Sequence, residues 1–594
     1  MSIQGRFQSS VLIQKTVDLI RSDIFPADMN TYFILTLVFP SVIFLAGCVS
    51  DKMDEKSVLV SYQQMLAEQG PQQRVDTEGK DPNKPLGLLQ PVSTTASTIS
   101  DVEITTDPNT GRQNASLTIE QVLARTLANS PEIRVVSFDP SIAKQDITKA
   151  ASEFDVTAFG ELNFENEDNP PNSIYQSGQS DERTLETGVK QKSITGSEWS
   201  LSYAMTRSWD DLSGRTLSTR YEPILGFQLR QPLLRDAWQE VTLAGVDVAK
   251  LNYKISLLQF RQKAEETAVG VISAYWRLLQ ARRDLEIHQL LLANTLETLE
   301  KVISRREIDA TELHIKQTEA SAKTREAALI QARKRINDAQ DVLIRLMADA
   351  QLNVLDDFNI IPTTEPSQEL EMLEEPKLLE LALNRNPVIQ QAKIGTEIAD
   401  INIRVAENQD MPRLDLLASA RTQGLAKGPE NAQDRLYNGD YLSYGLGLSL
   451  EYPLGNRQRE AELIQRRFER RQAFAIYHNV ADQAAQLVKE RARRAQTNFS
   501  EIQVQIDAVD AARIYLEVLK DTETIREQLT PEFLLVKLQA QEVLANAQMA
   551  QIRAIVEFNI AIAELAQTLG TVLELHQVET SLLNISSYDN EMSQ

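Results

Sequence analysis

At 594 residues the chain is too long for one ordinary compact core. Its wealth of Ala, Leu, Gln, Glu and Arg, with only 22 Gly and 21 Pro, favours long helices broken by short irregular stretches. The net charge of -23 argues against a nucleic-acid partner, because a phosphate backbone is held by a basic face. A single cysteine, Cys48, excludes an intrachain disulfide or a cysteine-built zinc cluster, and His288, His314, His478 and His576 are too scattered for metal-ligand spacing.

Residues 1–48 read as a targeting segment. Tyr32 to Ala46 is apolar and uncharged, too short to span a bilayer as a helix but suited to the hydrophobic region of a signal peptide. It ends in Leu45, Ala46, Gly47 and Cys48, which resembles a bacterial lipobox whose cysteine thiol takes a diacylglyceryl lipid. The covalent lipid on Cys48 is the only non-protein group expected. Met29 offers an alternative start to Met1, because the apolar stretch lies far from Met1. Residues 49–116 are polar, with dispersed Pro, Gly, Thr and Asp and no lasting period, and read as a linker.

From 117 the sequence is duplicated. Val122 to Ile133 (VLARTLANSPEI) matches Leu378 to Ile389 (LLELALNRNPVI), each a short apolar helix followed by a cap residue and proline: Ser130 with Pro131, and Asn386 with Pro387. The first repeat is placed at 117–350, a linker at 351–375, the second repeat at 376–571 and a tail at 572–594. Each repeat then runs into strands, at about 156–166 and 222–231 in the first and about 413–422 and 442–452 in the second.

A very long helical stretch follows the second strand in each repeat, Leu234 to about Glu307 and Gln458 to about Gln528. At 1.5 Å per residue such a rod spans roughly 100 Å and survives only when packed on other rods. Each rod turns back. Asp309 with Glu312 reads as a capping box, and Thr530 with Pro531 and Glu532 as a capped, proline-started helix. The returning helix carries Ile555, Phe558, Ile562, Leu565 and Leu569 at the spacing of a coiled-coil seam.

The strands alternate. Leu446, Leu448, Leu450 and Tyr452 interleave with Gly447, Ser449 and Glu451, and Leu414 and Leu416 with Arg413 and Asp415. Apolar residues on one face and small or polar ones on the other suit a transmembrane barrel strand, with the leucines and Tyr452 toward outer-membrane lipid. No nucleophile, base or metal constellation emerges, so an enzyme is not expected.

SLTIEQVLARTLANSPEI at 116–133, QPLLRD at 231–236, YPLGNR at 452–457 and EFNIAIAELAQTLG at 557–570 resemble the TolC-like outer-membrane efflux family, over about residues 117–571. The resemblance implies a mostly α chain with a β-barrel part, assembled as a homotrimeric tunnel in the outer membrane of a Gram-negative bacterium. It implies a passive export conduit of an efflux or type I secretion system. A periplasmic adaptor and an inner-membrane transporter are the implied partners, the adaptor meeting the hairpin tips at Asp309, Glu312, Thr530, Pro531 and Glu532. A non-pore coiled-coil lipoprotein is the alternative. The aspartates that line the periplasmic entrance in some relatives have no counterpart in Leu313-His314-Ile315 or at 535–539.

The first repeat also holds an insert whose second strand alternates Trp199, Leu201, Tyr203 and Met205 with Ser200, Ser202 and Ala204. A hairpin over 184–207 is expected there. Family precedent places it outside a twelve-stranded barrel, whereas its length and alternation would let it cross the membrane and give eighteen strands.

Overall fold

The computed structural model describes residues 103–106 and 113–575, apart from 171–172, 174, 213–215, 309, 350, 353–357, 371–373 and 526–529. Cys48 and its lipobox, most of the 49–116 linker, Asp309 and the tail beyond 575 lie outside the described residues.

In chain order the elements begin with β1 (Glu103–Thr106), β2 (Gln113–Leu117), α1 (Ile119–Asn129), α2 (Pro131–Val136) and α3 (Phe138–Ala151). Four strands follow: β3 (Thr157–Asp168), β4 (Gln179–Lys192), β5 (Glu198–Asp210) and β6 (Thr219–Pro232). Then come α4 (Gln239–Thr242), α5 (Ala244–Ser304), α6 (Glu312–Met347) and β7 (Phe358–Pro362). The second repeat has α7 (Glu375–Arg385), α8 (Pro387–Gln409), β8 (Arg413–Gln423), α9 (Pro429–Asn438) and β9 (Leu442–Glu451). It closes with α10 (Arg457–Ile525), α11 (Pro531–Leu569) and α12 (Val572–Leu575). Among the described residues two compact units emerge, one formed by 149–245 and 404–463, the other by 103–148, 246–403 and 464–575.

The helical unit is built on rods. α5 is 61 residues long and α10 is 69. α5 buries Tyr253, Leu257, Phe260, Ala264, Ala268, Ile272 and Tyr275, spaced three and four apart, in the largest core cluster. The α11 seam is buried at Ile555, Phe558, Leu565 and Leu569, with Ile562 partly so. Phe558 is fully enclosed and its ring centre lies 5.6 Å from that of Phe499 on α10. Burying a side chain of this size stabilises by about 1.5–3 kcal/mol, and the seam repeats that gain turn after turn.

Two linkers are more ordered than their composition predicts. β2 pairs antiparallel with β1 and parallel with β7, so the end of the 49–116 linker and the middle of the 351–375 linker form one small sheet. The reason is local: Ala115, Leu117, Phe358 and Ile360 alternate with polar or half-buried residues and are buried in the main core. The Tyr275 hydroxyl donates to the Leu117 carbonyl at 3.0 Å and accepts from the Thr364 amide at 3.0 Å. Gln340 donates to the Phe358 carbonyl and accepts from the Ile360 amide, so two helices clasp the sheet.

The other unit is a six-stranded antiparallel sheet in the order β3-β4-β5-β6-β8-β9. The inserted hairpin is longer than 184–207 and lies between the first repeat's two original strands, paired along its length to both. The arrangement drawn from family precedent, with the hairpin apart from a four-stranded sheet, is therefore corrected. Complementary side chains seat it. A Cβ at Gly188 would meet the Phe159 ring of β3 at 2.8 Å, so only glycine lets that ring lie across β4. Thr187 donates to the Phe159 carbonyl at 3.2 Å, and Arg230 of β6 donates to Glu198 of β5 at 3.0 Å.

Candidate functional site

Register decides which residues share a face, because directly paired residues point the same way. Starting from Leu446, the pairs run Leu446–Ala418, Ala418–Leu229, Leu229–Trp199, Trp199–Gln191. Two residues along, Tyr444, Ala420, Phe227, Leu201, Val189 and Ala158 are joined in the same way. The next positions on this face include Tyr203, Met205, Leu185 and Leu162. Leu414, Leu416, Leu448 and Leu450 belong to it as well. One face of all six strands is thus predominantly apolar.

The opposite face is mostly polar, with Phe159, Ile224 and Leu417 as exceptions. It carries Glu161, Asn163, Glu165, Thr184, Glu186, Lys190, Ser200, Ser202, Gln228, Arg230, Asp415, Ser419 and Ser449. Asp415 is held between two guanidinium groups, Arg230 at 2.8 Å and Arg413 at 2.9 Å.

Much of the apolar face is uncovered within one chain, although at its loop end α9 packs against β6 and β8, the Thr422 hydroxyl donating to the Leu436 carbonyl at 3.3 Å, and Met205 is buried. Leu446, Leu448 and Leu450 are 78%, 69% and 70% exposed, far too much for a half-buried strand of a soluble core. At the loop end the band stops at Asp181, Arg183 and Arg207, where Asp181 accepts from Arg183 at 3.2 Å and Arg207 at 3.0 Å. Tyr452 lies just past β9, on the same side of the alternation and half exposed. Every strand has ten or more residues, enough for a tilted crossing of a bilayer. Among the described residues β3 and β9 are the free edges, each paired on one side only.

At the hairpin tips, the cap of α6 is Thr311, not Asp309 with Glu312. The Thr311 amide donates to His314 Nδ1 at 3.2 Å, so a histidine takes the role that glutamate usually fills in a capping box. His314 is buried, and Glu312 is exposed in the first turn. Thr530 caps α11, its hydroxyl accepting from the Phe533 amide at 3.3 Å, with Pro531 opening the helix and Glu532 exposed. Val302, Ala310, Leu534 and Leu538 form one small cluster, so the tips of both hairpins meet. Buried polar pairs stiffen this end: Lys537 donates to Glu523 at 2.6 Å, and Arg325 donates to Thr295, to Gln541 and to the Leu538 carbonyl. Of the two residues predicted to cap the helices that open at Pro131 and Pro387, Asn386 does so, accepting from the Val388 amide at 2.9 Å, whereas the Ser130 side chain makes no capping bond.

Two carboxylates along α5 sit above their usual pKa. Burial raises Glu265, against the opposing hydrogen bond and charge of Arg261. Burial likewise raises Asp284, against the charges of Arg335 and Arg553. Neither stands beside a group that would make it an acid or base catalyst, and no metal-holding cluster is found among the described residues.

No protein-family profile matches the sequence, and no characterised protein matches it either. Solved structures do match in fold. The outer membrane protein VceC from Vibrio cholerae is 18% identical, with a TM-score of 0.56, covering 76% of this chain and 96% of its own. The CmeC outer membrane channel of Campylobacter jejuni is 13% identical, with a TM-score of 0.53, covering 88% and 97%. The MtrE outer membrane channel of Neisseria gonorrhoeae in its open state is 15% identical, with a TM-score of 0.54, covering 84% and 98%. CmeC and MtrE are both outer membrane channels. The fold is therefore the TolC-like one that the sequence resembles: long helical hairpins and a sheet, given by two repeats.

Proposed function

We propose that this chain, which carries the fold of TolC-like outer-membrane channels, is the passive outer-membrane conduit of a tripartite efflux or type I secretion system. The observation that carries this reading is the two-faced sheet: an apolar face largely uncovered toward β9, a mostly polar face and, among the described residues, two unpaired edges. Lipid tolerates such a sheet only when the edges are closed, because an unsatisfied backbone group costs several kcal/mol there. Three copies joined edge to edge satisfy the backbone, turn the leucines toward lipid and leave the polar face around water. A non-pore coiled-coil lipoprotein has no use for those exposed leucines.

Cys48 is the lipid anchor in this reading, and the hairpin tips at Glu312, Thr530, Pro531 and Glu532 receive a periplasmic adaptor, which links the conduit to an inner-membrane transporter. The transporter chooses the cargo. Affinity capture of the full-length protein from cross-linked cells, followed by mass spectrometry, tests both points. The expected result is a diacylglyceryl-modified N-terminal Cys48 on the captured chain, with an adaptor and a transporter recovered beside it. Recovery of neither partner from cells in which the protein is assembled would overturn the export role, and an unmodified Cys48 thiol would overturn the anchor.

A further inference from the structure

We infer that the inserted hairpin, β4 and β5, crosses the membrane, so that three copies close an eighteen-stranded barrel through pairing of β9 of one copy with β3 of the next. The inference rests on the proposed placement of the sheet in the membrane and adds what the sheet's construction says about its width.

Four observations carry it. First, the hairpin strands have 14 and 13 residues and are paired through their full length, Thr157–Lys190 to Asp168–Gln179 on one side and Glu198–Arg230 to Trp209–Thr219 on the other. They rise no higher and no lower than their neighbours. Second, the turn at 193–197 sits at the end of the sheet where β6 leads to α4. Gly196 has φ +85 and a Cβ there would meet the Asp236 carbonyl at 2.3 Å and the Pro232 ring at 3.2 Å. A hairpin standing beyond the opposite, loop-bearing end cannot place its turn against Pro232 and Asp236.

Third, the hairpin continues the apolar face, with Trp199, Leu201, Tyr203 and Met205 on β5 and Leu185 and Val189 on β4, broken inside the band by Thr187 alone and bounded by Gln191 and Arg183. Its other face is polar throughout, from Glu182 to Lys190 and from Ser200 to Ser208, with Ala204 and Gly188 the small exceptions. Soluble decoration of a barrel has no need to keep this division in step with four other strands. Fourth, the six strands alternate in direction, so β9 and the next copy's β3 run antiparallel and an even-numbered ring can close. Barrel diameter grows roughly linearly with strand number, so eighteen strands give a lumen about half as wide again as twelve, in the range that leaves an open aqueous channel.

Two sets of cysteine variants of the full-length protein test this, with the parent bearing Cys48 alone as the blank. Gly196 is buried and a side chain there would be strained and clash, so the turn is probed at Ile194, which is 46% exposed. The pair Ser202→Cys with Gly226→Cys reports β5 against β6, where a Cβ on Gly226 lies 3.9 Å from the Ser202 hydroxyl. The pair Asn163→Cys with Thr184→Cys reports β3 against β4. Both disulfides are expected in assembled trimers. A bulky polymer-linked maleimide is expected to miss Ile194→Cys on intact cells and to reach it once the outer membrane is permeabilised. Labelling of Ile194→Cys on intact cells, or absence of both disulfides from trimers that still conduct ions, would overturn the inference while leaving the channel reading in place. Disulfides that form in a protein that never conducts would instead count against the channel.

Discussion

Leu448→Arg is expected to prevent barrel assembly, whereas Ser449→Arg, one residue along, assembles nearly as the parent does. Leu448 lies in the middle of β9 on the apolar face, paired with Leu416 and 69% exposed in the single chain. In the proposed barrel that exposure is to lipid, and a guanidinium near the bilayer midplane costs about 2–4 kcal/mol. Three copies carry three such charges. Ser449 pairs with Asp415 on the polar face, where an added arginine meets water and a carboxylate. Resistance of the trimer to detergent, compared on gels with and without heating, reads the difference. Equal assembly of the two variants would falsify the assignment of faces.

The second large effect is in the helical unit. Tyr275→Ala is expected to lower stability by about 3–5 kcal/mol, in the range of large aromatic truncations in a packed core. Tyr275 is fully enclosed and packs edge-on to Trp276 at 5.3 Å. Its hydroxyl is also the peg between α5 and the small sheet, bonded to both Leu117 and Thr364. Removing the ring leaves a cavity and takes the partner from the Thr364 amide, while the Leu117 carbonyl keeps its bond from the Thr363 amide at 3.1 Å. Tyr275→Phe isolates the hydroxyl and is expected to cost about 1 kcal/mol, the net worth of a typical hydrogen bond, since the Thr364 amide alone is left without this partner. Guanidinium unfolding followed by helix circular dichroism measures both. A Tyr275→Ala protein as stable as the parent would mean that the small sheet is not clamped through this residue.

Much of this architecture is readable from the chain itself because it is written in long periods. Seventy-residue stretches with apolar residues every three or four positions admit few alternatives to packed rods. The alternation of leucine with glycine and serine over Leu446 to Leu450 fixes the two faces of β9 before any register is known. Tight turns and caps are less legible. The sequence offers Asp309 and Glu312 as a capping box, and the chain instead uses Thr311 with His314, since a histidine Nδ1 at the third position accepts the same amide proton.

Short strands are the hardest to see. Ala115 and Leu117, or Phe358 and Ile360, give only one alternation each, set among polar residues that look like linker. What makes them strands is each other, across 245 residues of sequence, and the helices that cover them. The hairpin illustrates the converse. Its alternation was legible, but whether it joins the sheet depends on fits such as Gly188 beneath Phe159, which pairwise register reveals and composition does not.

Recordings of ion current across a planar lipid bilayer, after reconstitution of the purified full-length protein, test the central claim most directly. Discrete, ohmic current steps of uniform size are expected, one for each inserted trimer, because the polar face of the proposed barrel encloses water. Trimers that insert into the bilayer and pass no current under any voltage would contradict it, and would return the chain to the class of structural rods.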